Sequence, residues 1–147
     1  MGIEDLYQQI ILDHYRNPRH QGTLEHPTVD VAHNNPLCGD RLHVQVRIED
    51  GRIADIAHSG EGCSISQASA SMMADAAVGK PVDEAMAAIE HVRLLMHGET
   101  AADEDVLGDA VALEGVARYP VRVRCALLSW MALKDALQTH TATSTGG

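Results

Sequence analysis

No apolar run in this chain is long enough to cross a bilayer. The first residues, Met1-Gly2-Ile3-Glu4-Asp5, lack the basic stretch and apolar segment of an export signal. A cytoplasmic location is the expectation, and with it reduced thiols. Basic residues are few: 11 Lys and Arg stand against 21 Asp and Glu, for a formal charge of −10. That balance weighs against nucleic acid, whose phosphates need a cationic face, and against anionic membranes. Arg118, Arg122 and Arg124 form one local basic cluster. Cysteines number three, an odd and sparse set that does not suit a disulfide framework. The nine histidines contain no HxxH or HExxH spacing, and Gly60-x-Gly62 falls far short of a dinucleotide fingerprint. A Cys–His pair for acyl transfer has no local signature.

What is present reads as one globular domain over residues 1–140, with a flexible tail at 141–147. The chain has 147 residues, 45% apolar and 22% charged, enough for an ordinary core. Ile3, Leu6, Ile10 and His14 recur at helical spacing, and Pro18 stops that helix. Residues 19–36 read as irregular chain with a short strand near 29–33. From 41 to 49, Leu42, Val44, Val46 and Ile48 alternate with polar residues, which predicts a strand with one wet face. Asp50-Gly51 predicts a hairpin turn, and the Ile53/Ile56 spacing of the return strand predicts a bulge. Ser64 and Gln67 match a capping box that opens a helix ended by Gly79 and Pro81. A second helix runs from Pro81 to Gly98. Residues 99–109 read as an acidic loop, and 109–117 as a short helix. The last helix starts at Pro120, is apolar around much of its circumference, and should be central. Residues from Thr139 on read as unstructured. Segregated elements of this kind indicate α+β, with helices covering a small three-stranded antiparallel sheet.

Cys38, Cys63 and Cys125 lie far apart in sequence, yet each falls beside a residue type that suits a metal or thiolate site. Cys63 precedes a helix start, where backbone N–H groups favour a thiolate. The glycines at 60 and 62 leave room for close approach. Cys38 and Asp40 stand before the first strand of the hairpin, and a hairpin brings that end beside the end of its partner strand. Cys125 falls near the start of the last helix. Three thiols and one carboxylate make a four-coordinate set that zinc or an iron–sulfur cluster accepts. For a single cysteine, burial as a small hydrophobe is an even alternative, and for Asp40 alone a turn role is the commoner one. The case rests on the set. His14 reads as a packing or interface residue.

Four segments carry a resemblance: Ile11-Leu12-Asp13-His14-Tyr15-Arg16-Asn17-Pro18, Asn35-Pro36-Leu37-Cys38-Gly39-Asp40, Gly60-Glu61-Gly62-Cys63-Ser64-Ile65-Ser66, and Tyr119-Pro120-Val121-Arg122-Val123-Arg124-Cys125-Ala126. In this order they resemble the IscU/NifU-N family of iron–sulfur assembly proteins, with a SufE/NifU/IscU-like fold. The likeness spans roughly residues 3–138. Two features are similar to the family's SufU branch: Arg124 stands where the scaffold branch has a histidine, and residues 99–118 look like that branch's extra segment. The resemblance implies zinc held by Cys38, Asp40, Cys63 and Cys125, with Cys38 as sulfur acceptor and Arg122 beside the site. It implies a zinc-dependent sulfurtransferase that takes sulfane sulfur from a SufS-type cysteine desulfurase. The persulfide would pass to a SUF scaffold complex (SufB/SufC/SufD). A coordinated thiolate is a poor nucleophile, so Cys38 must be released to act, and Gly39 gives its turn the freedom. Two other readings use the same residues: a scaffold carrying a [2Fe–2S] cluster, and a zinc-stapled adaptor with no sulfur in transit.

Overall fold

Leu42, Val44 and Val46 alternate along strand β2 (Asp40–Glu49) and bury one face of a sheet. The structure, a computed structural model, describes residues 3–35 and 39–146. β1 (Val29–Asn35), β2 and β3 (Arg52–Glu61) form an antiparallel sheet in that spatial order. Asp50 and Gly51 both take positive φ, at 53° and 74°, so the β2–β3 connection is a primed turn matched to the strand twist. Arg47 pairs with Asp55 but Ile48 pairs with Ile53. Ala54 is therefore the extra residue of a bulge, which accounts for the Ile53/Ile56 spacing. The outer face is drier than the alternation predicts. Gln45 is buried: its Oε1 accepts from Leu24 N at 2.7 Å and its Nε2 donates to Asp30 Oδ2 at 3.0 Å. Residues 20–28 run along this side, bonded to the sheet at His58 and Val46.

Helices α2 (Ser64–Ala77) and α5 (Pro120–Gly146) lie on the sheet, with α1 (Ile3–Arg16) packed on α2 and α3 (Val82–Met96) packed on α5. The α+β expectation holds. α5 is central, as its apolar circumference requires: it meets α2, α3, β1 and β2. Trp130, Leu133 and Leu137 are buried in the core, each leucine worth about 2 kcal/mol. The Trp130 indole N–H donates to Ser69 Oγ at 3.0 Å, and Ser69 donates to the Ala126 carbonyl at 2.5 Å, so the polar atoms at this crossing are satisfied. α5 also outlasts its expected end near 138 and continues through Gly146. Threonine hydroxyls bond back one turn there: Thr141 Oγ1 donates to the Leu137 carbonyl at 2.9 Å.

The segment read as an acidic loop and short helix is a helical turn, α4 (Glu104–Leu107), followed by a 3-10 helix, Gly108–Val116. Asp103 caps α4 by accepting from Asp105 N. His14 ties this segment down, bearing out its reading as a packing residue. Its ring is fully buried, with Nδ1 2.8 Å from Ser71 Oγ and Nε2 2.9 Å from Asp109 Oδ2. Ser71 Oγ also accepts from Arg19 N, so one network joins α1, α2, the 3-10 helix and the start of the 19–28 chain.

Candidate metal centre

The strand register carries two distant segments to one end of the sheet. Asn35 pairs with Asp40, and Arg41 pairs with Glu61, so the start of β2 lies beside the residues that lead into α2. There the Cys63 N–H donates to Asp40 Oδ1 at 3.0 Å. Asp40 is 1% exposed, and its second oxygen, Oδ2, is buried with no hydrogen-bond partner among the described residues. Buried carboxylate oxygens are normally satisfied, and one left bare points to a cation.

The α2 cap differs by one residue from the expected capping box. Cys63, not Ser64, is the N-cap: its Sγ accepts from Ser66 N at 3.5 Å. Ser66 Oγ donates to the Cys63 carbonyl at 3.0 Å and lies 3.8 Å from Cys63 Sγ. Gln67 does reach back, but its Nε2 donates to the Gly62 carbonyl. Sulfur can fill the acceptor role that a serine hydroxyl usually fills, and in doing so it is aimed out of the helix start. Burial pushes the Cys63 thiol up; the Ser66 N–H and hydroxyl and the Cys125 thiol outweigh that, and the net is below the ordinary cysteine value even against the Asp40 charge.

Cys125 reaches the same point from the second turn of α5, where it is 1% exposed. One ligand atom each from Asp40, Cys63 and Cys125 lies within 4.8 Å of the others. Three of the four residues singled out in the sequence are thus brought together, and Cys38, in the connection between β1 and β2, lies outside the described residues. Two thiols and a bare carboxylate oxygen suit a divalent thiophilic metal. A side chain at residue 62 would close this space. A Cβ on Gly62 would stand 2.6 Å from Asp40 Oδ1 and collide with Ser66 Oγ. Sequence reasoning missed Ser66 and gave Gly62 only a general role. The signal was available as Cys63-x-x-Ser66, a cap pattern with sulfur in the serine position.

Arg122 is exposed on the first turn of α5 and lines a groove that begins at Ser64 and Ile65. Arg124 is exposed on the other side, beside Asn34, Asn35 and Leu127. His43 pairs with Asp30 and His33 with Asp135. No helix of the described residues is long and apolar enough to cross a membrane.

Comparison with known proteins finds relatives that match nearly the whole chain. The zinc-dependent sulfurtransferase SufU of Bacillus subtilis is 44% identical over 136 residues, which covers 92% of this chain and 92% of that protein. The iron–sulfur cluster assembly scaffold protein IscU of Streptococcus pyogenes is 40% identical over 136 residues, covering 92% of this chain and 85% of that one. The crystal structure of a nitrogen-fixing NifU-like protein (N-terminal) from Brucella abortus superposes with a TM-score of 0.86 at 29% identity, covering 95% of this chain and 96% of that chain. The family model for the NifU-like N-terminal domain matches residues 6–142, and with these relatives it establishes that the chain belongs to that family.

Proposed function

We propose that this chain is a zinc-dependent sulfurtransferase of iron–sulfur cluster assembly, with zinc held by Cys38, Asp40, Cys63 and Cys125. The observation that carries this reading is Asp40, buried with its Oδ2 unpartnered among the described residues and with a carboxylate oxygen within 4.8 Å of the Cys63 and Cys125 sulfurs. The relative that bears this activity in its name covers nearly the whole chain. When bound, zinc supplies a redox-inert divalent charge that keeps cysteines as thiolates.

The chain's own groups supply the rest. Asp40 is anchored through Oδ1 by the Cys63 N–H and presents Oδ2. Cys63 is held in the cap position by Ser66. Cys38 is the sulfur acceptor. Its thiolate attacks the terminal sulfur of the donor's persulfide, the donor's S–S bond breaks, and its electron pair leaves on the donor cysteine as thiolate. The product is a persulfide on Cys38. Arg122 offsets part of the negative charge of the thiolates and carboxylate. The donor is a SufS-type cysteine desulfurase and the acceptor downstream is the SUF scaffold complex (SufB/SufC/SufD), in the cytoplasm.

One observation favours a second reading, a scaffold that binds a [2Fe–2S] cluster through the same cysteines: the scaffold-named relative at 40% identity. Arg124 weighs against it, because an exposed arginine stands where the scaffold branch offers a histidine. The test is to incubate the chain with the desulfurase and cysteine, then measure the mass of the Cys38 peptide. An added sulfur atom on Cys38, lost in Cys38→Ala together with stimulation of turnover, is the expected result. Undiminished stimulation by Cys38→Ala removes Cys38 from its role.

A further inference from the structure

Cys63 and Cys125 share one site but not one environment. Cys63 is partly exposed at the N-cap of α2, while Cys125 is buried in α5. Their sulfurs lie within 4.8 Å of each other, and the Cys125 thiol donates toward Cys63 Sγ. The two helices are pinned beside them. Ser69 on α2 donates to the carbonyl of Ala126, the residue after Cys125. A disulfide holds its sulfurs about 2 Å apart, so joining the pair takes a shift of under about 3 Å, within reach of side-chain rotation. On the Cys63 side, that rotation gives up one long contact, the Ser66 N–H at 3.5 Å.

A solvent-reachable thiol backed by a second thiol is the arrangement of a sensing cysteine and its resolving partner. The difference in exposure assigns the two roles. A small oxidant reaches Cys63 from solvent, whereas Cys125 is shielded and meets only what forms on Cys63. We infer that Cys63 is a site of reversible oxidation by peroxides, resolved by Cys125 as an intramolecular disulfide that withdraws both thiols from the metal centre. In the first step the Cys63 sulfur attacks one oxygen of hydrogen peroxide and the O–O bond breaks. The products are a sulfenic acid on Cys63 and a water that carries away the thiol proton. In the second step the Cys125 sulfur attacks the sulfenic sulfur and the S–O bond breaks. The hydroxyl leaves with the Cys125 proton as a second water. Two thiols are oxidised, and one peroxide is reduced. A dithiol reductant reverses the bond by exchange. While it stands, Asp40 is alone of the three ligands brought together here, too few to hold zinc.

The test treats the chain, first stripped of metal by a chelator, with hydrogen peroxide. Intact mass and peptide mapping are the readouts. The chain should lose the mass of two hydrogen atoms and yield a linked peptide pair joining Cys63 to Cys125, both reversed by dithiothreitol. Cys38→Ser should give the same result, and it leaves the two reacting residues in place. Cys125→Ser should instead gain oxygen on Cys63, because the sulfenic acid has lost its resolving thiol. In zinc-loaded chain, a chromophoric chelator should register zinc release in step with the disulfide. The oxidised chain should take up no zinc until it is reduced.

A disulfide that joins Cys38 to either of the others overturns the inference, as does its loss once Cys38 is replaced. Oxygen gained on Cys63 of the unsubstituted chain without a disulfide overturns it too, and so does a pair that stays reduced. Zinc retained by the disulfide form would show that the bond does not empty the centre, with the same consequence. The metal-free arm stands apart from the sulfurtransferase reading. A chain that fails to stimulate the desulfurase sinks that reading alone, and a missing Cys63–Cys125 bond sinks this one alone.

Discussion

His14 and Asp40 are both polar and both buried, and they differ in what surrounds them. His14 has a partner on each ring nitrogen, Ser71 on one side and Asp109 on the other. Asp40 has one oxygen bonded to the Cys63 N–H and the other without a partner among the described residues, and its carboxylate lies beside two thiols. A satisfied buried cluster stabilises the fold it sits in. A half-satisfied one costs stability in the empty protein and is explained by a ligand that completes it. The first region holds the molecule together, and the second is a cluster that the proposed metal would complete.

The widest separation should come from breaking each region in turn. His14→Ala strips Ser71 and Asp109 of their shared partner and leaves a cavity, so it should cost about 3 kcal/mol in urea unfolding while zinc affinity stays unchanged. Asp40→Asn should do the reverse: the metal-free protein melts no lower than the unsubstituted one, and added zinc no longer raises its melting temperature. If both variants lose stability and metal together, the two regions do not differ as described.

A smaller contrast lies within the centre. Gly62→Ala crowds Asp40 and Ser66 at once and should weaken zinc binding about a hundredfold, whereas Ser66→Ala, which keeps the capping N–H, should weaken it about tenfold. Competition with a chromophoric chelator measures both. The smallest effect is a shift in pH dependence. Because the folded Cys63 thiol ionises below the ordinary cysteine value, the thiolate is present at lower pH in the folded metal-free chain than in the unfolded one. Its alkylation, read by peptide mapping, should begin at lower pH in native buffer than in urea. The opposite order would mean that burial, not the Ser66 contacts, governs the thiol.

Much of this was readable from residue order because the signals were local. Asp50-Gly51 specified the turn, Ile53/Ile56 the bulge, and the apolar circumference after Pro120 the central helix. The convergence of Asp40, Cys63 and Cys125 followed from hairpin geometry and two helix starts. What escaped was contact between distant segments. Gln45 reads as a wet-face residue until Leu24 and Asp30 cover it. The expected cap at Ser64 followed a rule written for oxygen, and sulfur took the position one residue earlier. The last helix, expected to end near 138, continues through Gly146.

The central claim is that one divalent metal completes the Asp40, Cys63 and Cys125 cluster. Native mass spectrometry with elemental analysis, on protein purified without added metal, tests it most directly. The account predicts a colourless protein with one zinc per chain, and a metal-free chain for Asp40→Ala and for Cys125→Ser. A brown iron-containing protein, or zinc retained in both variants, would contradict it.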